Sequence, residues 1–175
     1  EWLYCTVDEP GKPLEDLLYP MLEQVLERLP VPRPMRWSNH DFSFVRPVHW
    51  LVVMHGDRVL DGGLYGCTAG RDTRGHRIHA PGAHPIATAD DYLERLRALH
   101  VLADPEERRD RVRSQVEAAG AEALEGGRAR ITSELLDEVS NIVEWPVAVA
   151  CRFDPAFLAV PQEALIASME SHQKF

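Results

Sequence analysis

Long apolar runs are missing from the chain. No stretch of about 18 consecutive apolar residues occurs, which excludes a predicted membrane-spanning helix. Cysteine is scarce: Cys5, Cys67 and Cys151 are odd in number, far apart and never in a CxxC. That excludes a disulfide framework or a cysteine zinc site and points to a reducing, cytoplasmic compartment. Lysine is almost absent, 2 against 17 arginines. Arginine offers a planar fork of donors suited to phosphate and carboxylate, although a genome-wide compositional bias gives the same ratio. A signal peptide is not predicted, because Glu1-Trp2-Leu3-Tyr4 has no basic start followed by an apolar stretch. An initiator Met is lacking, and Ser171-His172-Gln173-Lys174-Phe175 follows a helical pattern without cap or polar tail. Both ends read as cut, so a piece of a longer protein is expected.

What is present is ordinary globular material. The 175 residues are 45% hydrophobic and 27% charged, which excludes disordered and low-complexity classes. At this length roughly 70% of the unfolded surface is buried on folding, enough for a core without staples. The net charge of −9 is unevenly spread. Residues 88–175 hold 10 basic and 17 acidic side chains, whereas the window 28–79 holds eight arginines against four aspartates. Overall acidity argues against a free-standing nucleic-acid binder, but that window leaves room for a local anion-binding patch.

Residues 13–29 carry Leu14, Leu18, Met21, Val25 and Leu29 at helical spacing, with a kink or restart expected at Pro20. Three prolines in 30–34 make an extended connector. The run 47–54 reads as a strand buried on both faces. A turn at His55-Gly56-Asp57-Arg58 and a second strand over 59–69 complete a hairpin. Gly62, Gly63 and Gly66 predict a bulge or close backbone approach in that second strand. Residues 70–85 form a loop rich in Gly, Arg and His. Thr88 and Asp91 suggest a capping box for a helix to about Leu99, with Tyr92, Leu96 and Leu99 facing inward. Asp104-Pro105-Glu106-Glu107 starts a third helix. This helix has a narrow stripe of Val112, Val116, Ala119 and Ala123 and a Glu107/Arg111 pair, is largely solvated or packs weakly, and ends at Gly126-Gly127. A stronger helix over 133–144 places Leu135, Leu136, Val139, Ile142 and Val143 on one face. A strand follows over 147–153, then a helical turn at Asp154-Pro155 and a last helix opened by Pro161 with Leu165, Ile166 and Met169. The order predicts an α+β fold: a mixed or antiparallel sheet including a hairpin, with several amphipathic helices. The chain is expected to be a single fragment: a helix and connector (1–34), a hairpin with a basic loop (35–87), and a helical part with one strand (88–175).

Catalytic motifs are few. His76-Arg77-Ile78-His79 lacks the glutamate and the helical setting of a zinc protease motif, and Arg74 and Arg77 oppose a cation. His40-Asp41 is the single His-Asp dipeptide. No GxSxG, GxxxxGK[ST] or GxGxxG occurs, and no cysteine has a charged setting. Cys67 and Cys151 fall in predicted strands and read as small core residues. Trp145, at a helix end, reads as packing. The best functional stretch is Gly70-Arg71-Asp72-Thr73-Arg74-Gly75-His76-Arg77, where glycines, three arginines, a hydroxyl and an imidazole share one loop. Phosphate-backbone contact needs such donors on a closely approachable surface. From spacing alone the balance lies with an ordinary polar loop tied to neighbouring carboxylates.

Several strings then fall into one order: Met35-Arg36-Trp37; Phe44-Val45-Arg46-Pro47-Val48-His49-Trp50; Thr73-Arg74-Gly75-His76-Arg77 with His79-Ala80-Pro81; Leu136-Asp137-Glu138-Val139 with Val143-Glu144-Trp145-Pro146; and Val160-Pro161 through Met169 to His172-Gln173-Lys174-Phe175. Over essentially the whole chain this resembles the N-terminal part of the β subunit of bacterial heterotetrameric glycyl-tRNA synthetase. The resemblance implies that a separate α subunit carries the class II catalytic site for glycine and ATP, with magnesium. The β subunit binds tRNA(Gly) and α, and both are needed for charging. No cofactor and no complete active site are then expected in this fragment, and neither DNA nor membrane is an expected partner. The resemblance assigns no roles to individual residues. The tRNA-contact candidates, Arg71, Arg74, His76 and Arg77 with Arg33 and Arg36 second, rest on loop context and charge. Arg46, His49 and Trp50 are equally open to a structural role through buried hydrogen bonds. The alternative is a protein-interaction module for subunit assembly without RNA contact.

Overall fold

The computed structural model describes residues 2–123 and 127–174. The fold class is α+β, as the order of elements predicts. The chain forms two compact units, one of residues 1–73 and 83–91, the other of 74–82 and 92–175.

The first unit opens with α1 (Leu14–Glu27), which runs through Pro20 as one helix where a restart was also expected. Pro20 has no N–H to give, so its turn lacks one helical bond. Glu15 and Asp16 occupy the first turn, where the helix end is positive. Tyr19 fixes the helix to the sheet region, its hydroxyl donating to the Leu60 carbonyl at 2.7 Å. Arg58 pairs with Glu15 at 2.8 Å.

Short strands follow: β1 (Met35–Arg36), β2 (Ser43–Phe44), β3 (Leu51–Val52), β4 (Met54–His55), β5 (Arg58–Val59), β6 (Gly63–Leu64), β7 (Cys67–Gly70), β8 (Asp72–Arg74) and β9 (Ala83–Pro85). The expected hairpin is β4–β5, with Met54 opposite Val59. The long second strand is broken into three pieces, because Gly62, Tyr65 and Gly66 all take positive φ. Two neighbouring glycines, one at a break and one opening β6, make the close approaches that glycine permits. A Cβ on Gly62 would lie 2.3 Å from the Tyr19 ring, and one on Gly63 would lie 2.7 Å from the Cys67 carbonyl oxygen. The reversals let β7 return beside β3 in parallel, Leu51 opposite Ala69, while pairing β6 antiparallel. The run 47–54 is not buried on both faces: only Val53 is buried within it. Val53, Leu60, Ile86 and Thr73 are the buried side chains here. A second cluster is aromatic. His40 stacks on Phe42 at 4.5 Å, and Tyr65 stacks on Phe44 at 5.0 Å.

The second unit is helical. Thr88 and Asp91, in the first unit, bracket a 3-10 turn (Ala89–Asp91), and the Thr88 hydroxyl donates to the Asp91 carboxylate at 3.0 Å. The helix that follows, α2 (Tyr92–Ala98), is only seven residues long. In α3 (Pro105–Ala123) the Asp104 carboxylate accepts from the N–H groups of Glu106 and Glu107 at 2.9 and 3.1 Å, the predicted cap. The predicted stop at Gly126 lies outside the described residues. α4 (Ser133–Ile142) is capped by Thr132, whose hydroxyl accepts from the Leu135 N–H at 3.2 Å. α3 is largely solvated, as expected, with Val112 its one buried residue. Arg108 donates to the carbonyls of Ser140 and Leu102. Leu96, Leu99, Leu102, Val112, Leu135 and Leu136 form the core, each contributing about 1.5–3 kcal/mol.

Four expectations fail in this unit. Ile142 is exposed, not on the buried face, because α4 ends there ahead of Pro146. Glu107 does not meet Arg111. It takes Arg97, at the end of α2, in a two-pronged pair, and Arg111 lies instead over the Trp145 ring at 3.9 Å. Residues 147–153 form no strand, and Cys151 is exposed instead of being a core residue, since among the described residues no strand lies beside them. The chain then makes a 3-10 turn at Pro155–Ala159, capped by Asp154, and α5 (Gln162–Ala167), which runs on in wider π-type turns to Gln173.

Candidate functional site

The candidate residues divide between the two units. In the first, Arg36 donates to the His40 carbonyl at 2.9 Å and to the Asp41 carboxylate at 2.8 Å. Arg71 donates to the Asp57 carbonyl at 2.9 Å, tying β7 to the hairpin turn. Both guanidinium groups therefore serve as braces. Arg33 is exposed and has no ion pair or hydrogen bond among the described residues.

In the second unit Arg74, His76 and Arg77 share one loop with a rigid backbone. The His76 N–H donates to the Leu99 carbonyl at 2.9 Å, and the Ala80 N–H donates back to the His76 carbonyl at 2.9 Å. Gly75 allows the approach: a Cβ there would lie 2.8 Å from the Leu99 Cβ and 2.9 Å from the Ala80 Cβ. The half-buried His76 faces inward, and its Nδ1 accepts from the N–H groups of Ile78 and His79, both at 3.3 Å. An accepting Nδ1 places the proton of the neutral ring on Nε2. Arg74 and Arg77 are exposed and carry no ion pair or hydrogen bond among the described residues. The loop is thus not tied to neighbouring carboxylates through these two arginines.

A series of rings that the sequence did not announce continues from this loop. His76 lies 4.5 Å from His79, His79 5.2 Å from His100, and His100 5.1 Å from Trp145. Arg111 covers the far end. His100 takes a positive φ of 59°, and its buried Nδ1 has no partner among the described residues. These residues are scattered along the chain, so no local motif could have grouped them. Trp145 is packing, as its place at a helix end suggested.

Two free guanidinium groups on a braced loop are suited to holding an anion, not to moving protons or electrons. Among the described residues no three His, Cys, Asp or Glu side chains converge as metal ligands, and no helix is long and apolar enough to cross a membrane.

Comparison with known proteins gives the setting. The family model described as glycyl-tRNA synthetase beta subunit matches residues 1–175. The glycine–tRNA ligase beta subunit of Xanthomonas campestris pv. campestris (strain B100) is 48% identical over 166 residues, 95% of this chain and 24% of that protein. The same-named protein of Chromohalobacter salexigens is 49% identical over 174 residues, covering 99% and 25% respectively. That of Alteromonas mediterranea is 41% identical over all 175 residues, 25% of its length. The chain spans about a quarter of the length of the curated relatives it matches.

Proposed function

Because the chain belongs to the glycyl-tRNA synthetase β-subunit family, we propose that it acts as the N-terminal part of the β subunit of a glycine–tRNA ligase. In this reading the whole enzyme joins glycine to tRNA(Gly) in the cytoplasm and is assembled with a catalytic α subunit. ATP and Mg2+ belong to α. No chemical step is assigned to this chain.

Within that enzyme Arg74 and Arg77 contact the phosphate backbone of tRNA(Gly). The observation that carries the reading is that these two exposed guanidinium groups are unengaged among the described residues, on a loop pinned to Leu99. Phosphate contacts position an RNA without reading its sequence, and a rigid loop lowers the ordering cost of making them. His76 holds the loop, while Arg36 and Arg71 hold the first unit together. Arg33 is a second, weaker candidate.

The test is the double variant Arg74→Ala, Arg77→Ala in the assembled α–β enzyme. The expected result is a KM for tRNA raised about tenfold, corresponding to about 1.4 kcal/mol. Glycine-dependent exchange of pyrophosphate into ATP should be unchanged. An unaltered KM for tRNA removes the loop assignment and favours a scaffold role without RNA contact.

A further inference from the structure

Residues 147–153 have the composition and alternation of a β-strand without a sheet. Val147, Val149, Cys151 and Phe153 fall at every second position, the spacing that lines one face of a strand. That face is open: Val147 is 66%, Val149 75% and Phe153 49% exposed, and Cys151 is exposed with them. Of the intervening residues, Ala148 is half-buried and its N–H donates to the Gln115 side-chain oxygen on α3 at 2.9 Å, which anchors the segment at one point. Among the described residues no strand pairs with the segment.

The segment also forms one wall of a groove of about 660 Å³ in the second unit. Val112, Val116 and Ala119 of α3, Leu135 and Val139 of α4, and Met169 line it as well. Of the three cations that line it, Arg130 pairs with Glu170 and Lys174 with Glu138, while Arg152 has no ion pair among the described residues; the rest of the lining is apolar. An exposed, β-branched, unpaired strand is a template for another strand. An open apolar groove of this size is a docking surface.

We propose that this groove is filled by polypeptide from the remaining three quarters of the full-length β subunit, as an apolar strand paired along residues 147–153. The relatives continue well beyond the matched N-terminal quarter, and Lys174, the last described residue, itself lines the groove. In a subunit of the relatives' length, chain following the position of Lys174 would reach the groove with a short loop, and short connections are the rule between paired strands. Two of the three lining cations are already matched within the unit, which leaves Arg152 alone to meet a polar or acidic group of an otherwise apolar occupant.

Native Cys151 reports the occupancy. In the full-length β subunit without α, labelling of Cys151 by a maleimide, located by mass spectrometry, should be at least about tenfold slower than in the same subunit unfolded in urea. The backbone amides of 147–153 should exchange hydrogen correspondingly slowly. Val149→Asp in the full-length subunit should restore fast labelling. If that variant fails to fold, the wild-type exchange measurement still decides. Fast labelling and fast exchange in β alone overturn the proposal, as does protection that appears only when α or tRNA is added.

Discussion

At the scale of single residues, the Arg74–Arg77 loop is held by a glycine and a histidine, and each makes a prediction. Gly75 packs against backbone and short side chains that have no flexible end to move. Gly75→Ala should therefore cost about 1–3 kcal/mol, read as a lowered urea midpoint. His76 acts through an accepting nitrogen. His76→Ala leaves the N–H groups of Ile78 and His79 without that acceptor and should cost about 1–2 kcal/mol. His76→Asn, which retains a side-chain acceptor, should recover part of the loss. Hydrogen exchange at Ile78 and His79 checks both variants: faster in the alanine variant, closer to the parent in the asparagine one. A histidine that merely faced solvent would leave those amides unchanged. In the sequence His76 and the arginines look alike, as polar members of one loop. Their division into a brace and two free cations follows from which backbone lies beneath, and that is set by Leu99, more than twenty residues away.

Among elements, what was legible is what is local. Helical spacing marked α1, and the Asp104 and Asp154 caps sit where a carboxylate meets the following N–H groups. What was not legible depends on distant partners. The β3–β7 pair is parallel because Gly62, Tyr65 and Gly66 turn the chain twice within a run that reads as one strand. Glu107 chose Arg97 over its helical neighbour Arg111 because the loop between α2 and α3 brings the Arg97 fork opposite, while the Trp145 ring draws Arg111 away. Docking of α1 supplies the element-scale prediction. Burial, and next the nearby Asp61 charge, raise the Tyr19 phenol above its ordinary 10.0. The folded state therefore holds that proton more tightly than the unfolded state does. Its contribution is complete below about pH 10 and falls away as pH rises through the raised value. Tyr19→Phe also removes the bond to the Leu60 carbonyl, which costs about 1 kcal/mol. Urea midpoints at pH 8 and pH 11 should show the variant weaker at pH 8 and less sensitive to the step to pH 11.

For the whole molecule, the total of −9 is a poor guide to partners, because the acidic excess lies in residues 88–175 and the window 28–79 is net positive. Three of its eight arginines are already engaged: Arg36 with Asp41, Arg58 with Glu15, and Arg71 with the Asp57 carbonyl. Arginines left unengaged are the readiest to displace counterions from an RNA backbone, because they give up no existing partner. Each phosphate contact lowers the slope of log K against log salt by somewhat less than one. Removing Arg74 and Arg77 together should therefore make tRNA binding by the assembled enzyme less salt-dependent, by about 1.5 in that slope. Removing Arg36 and Arg71 should weaken binding only so far as it loosens the first unit, with the slope held. Fluorescence titrations of tRNA(Gly) at four salt concentrations between 50 and 200 mM, roughly the range over which such contacts dominate, separate the two pairs. Equal slopes for all variants would mean that the free charge on this loop meets solvent in the working enzyme, and that the family's use of this segment lies in assembly.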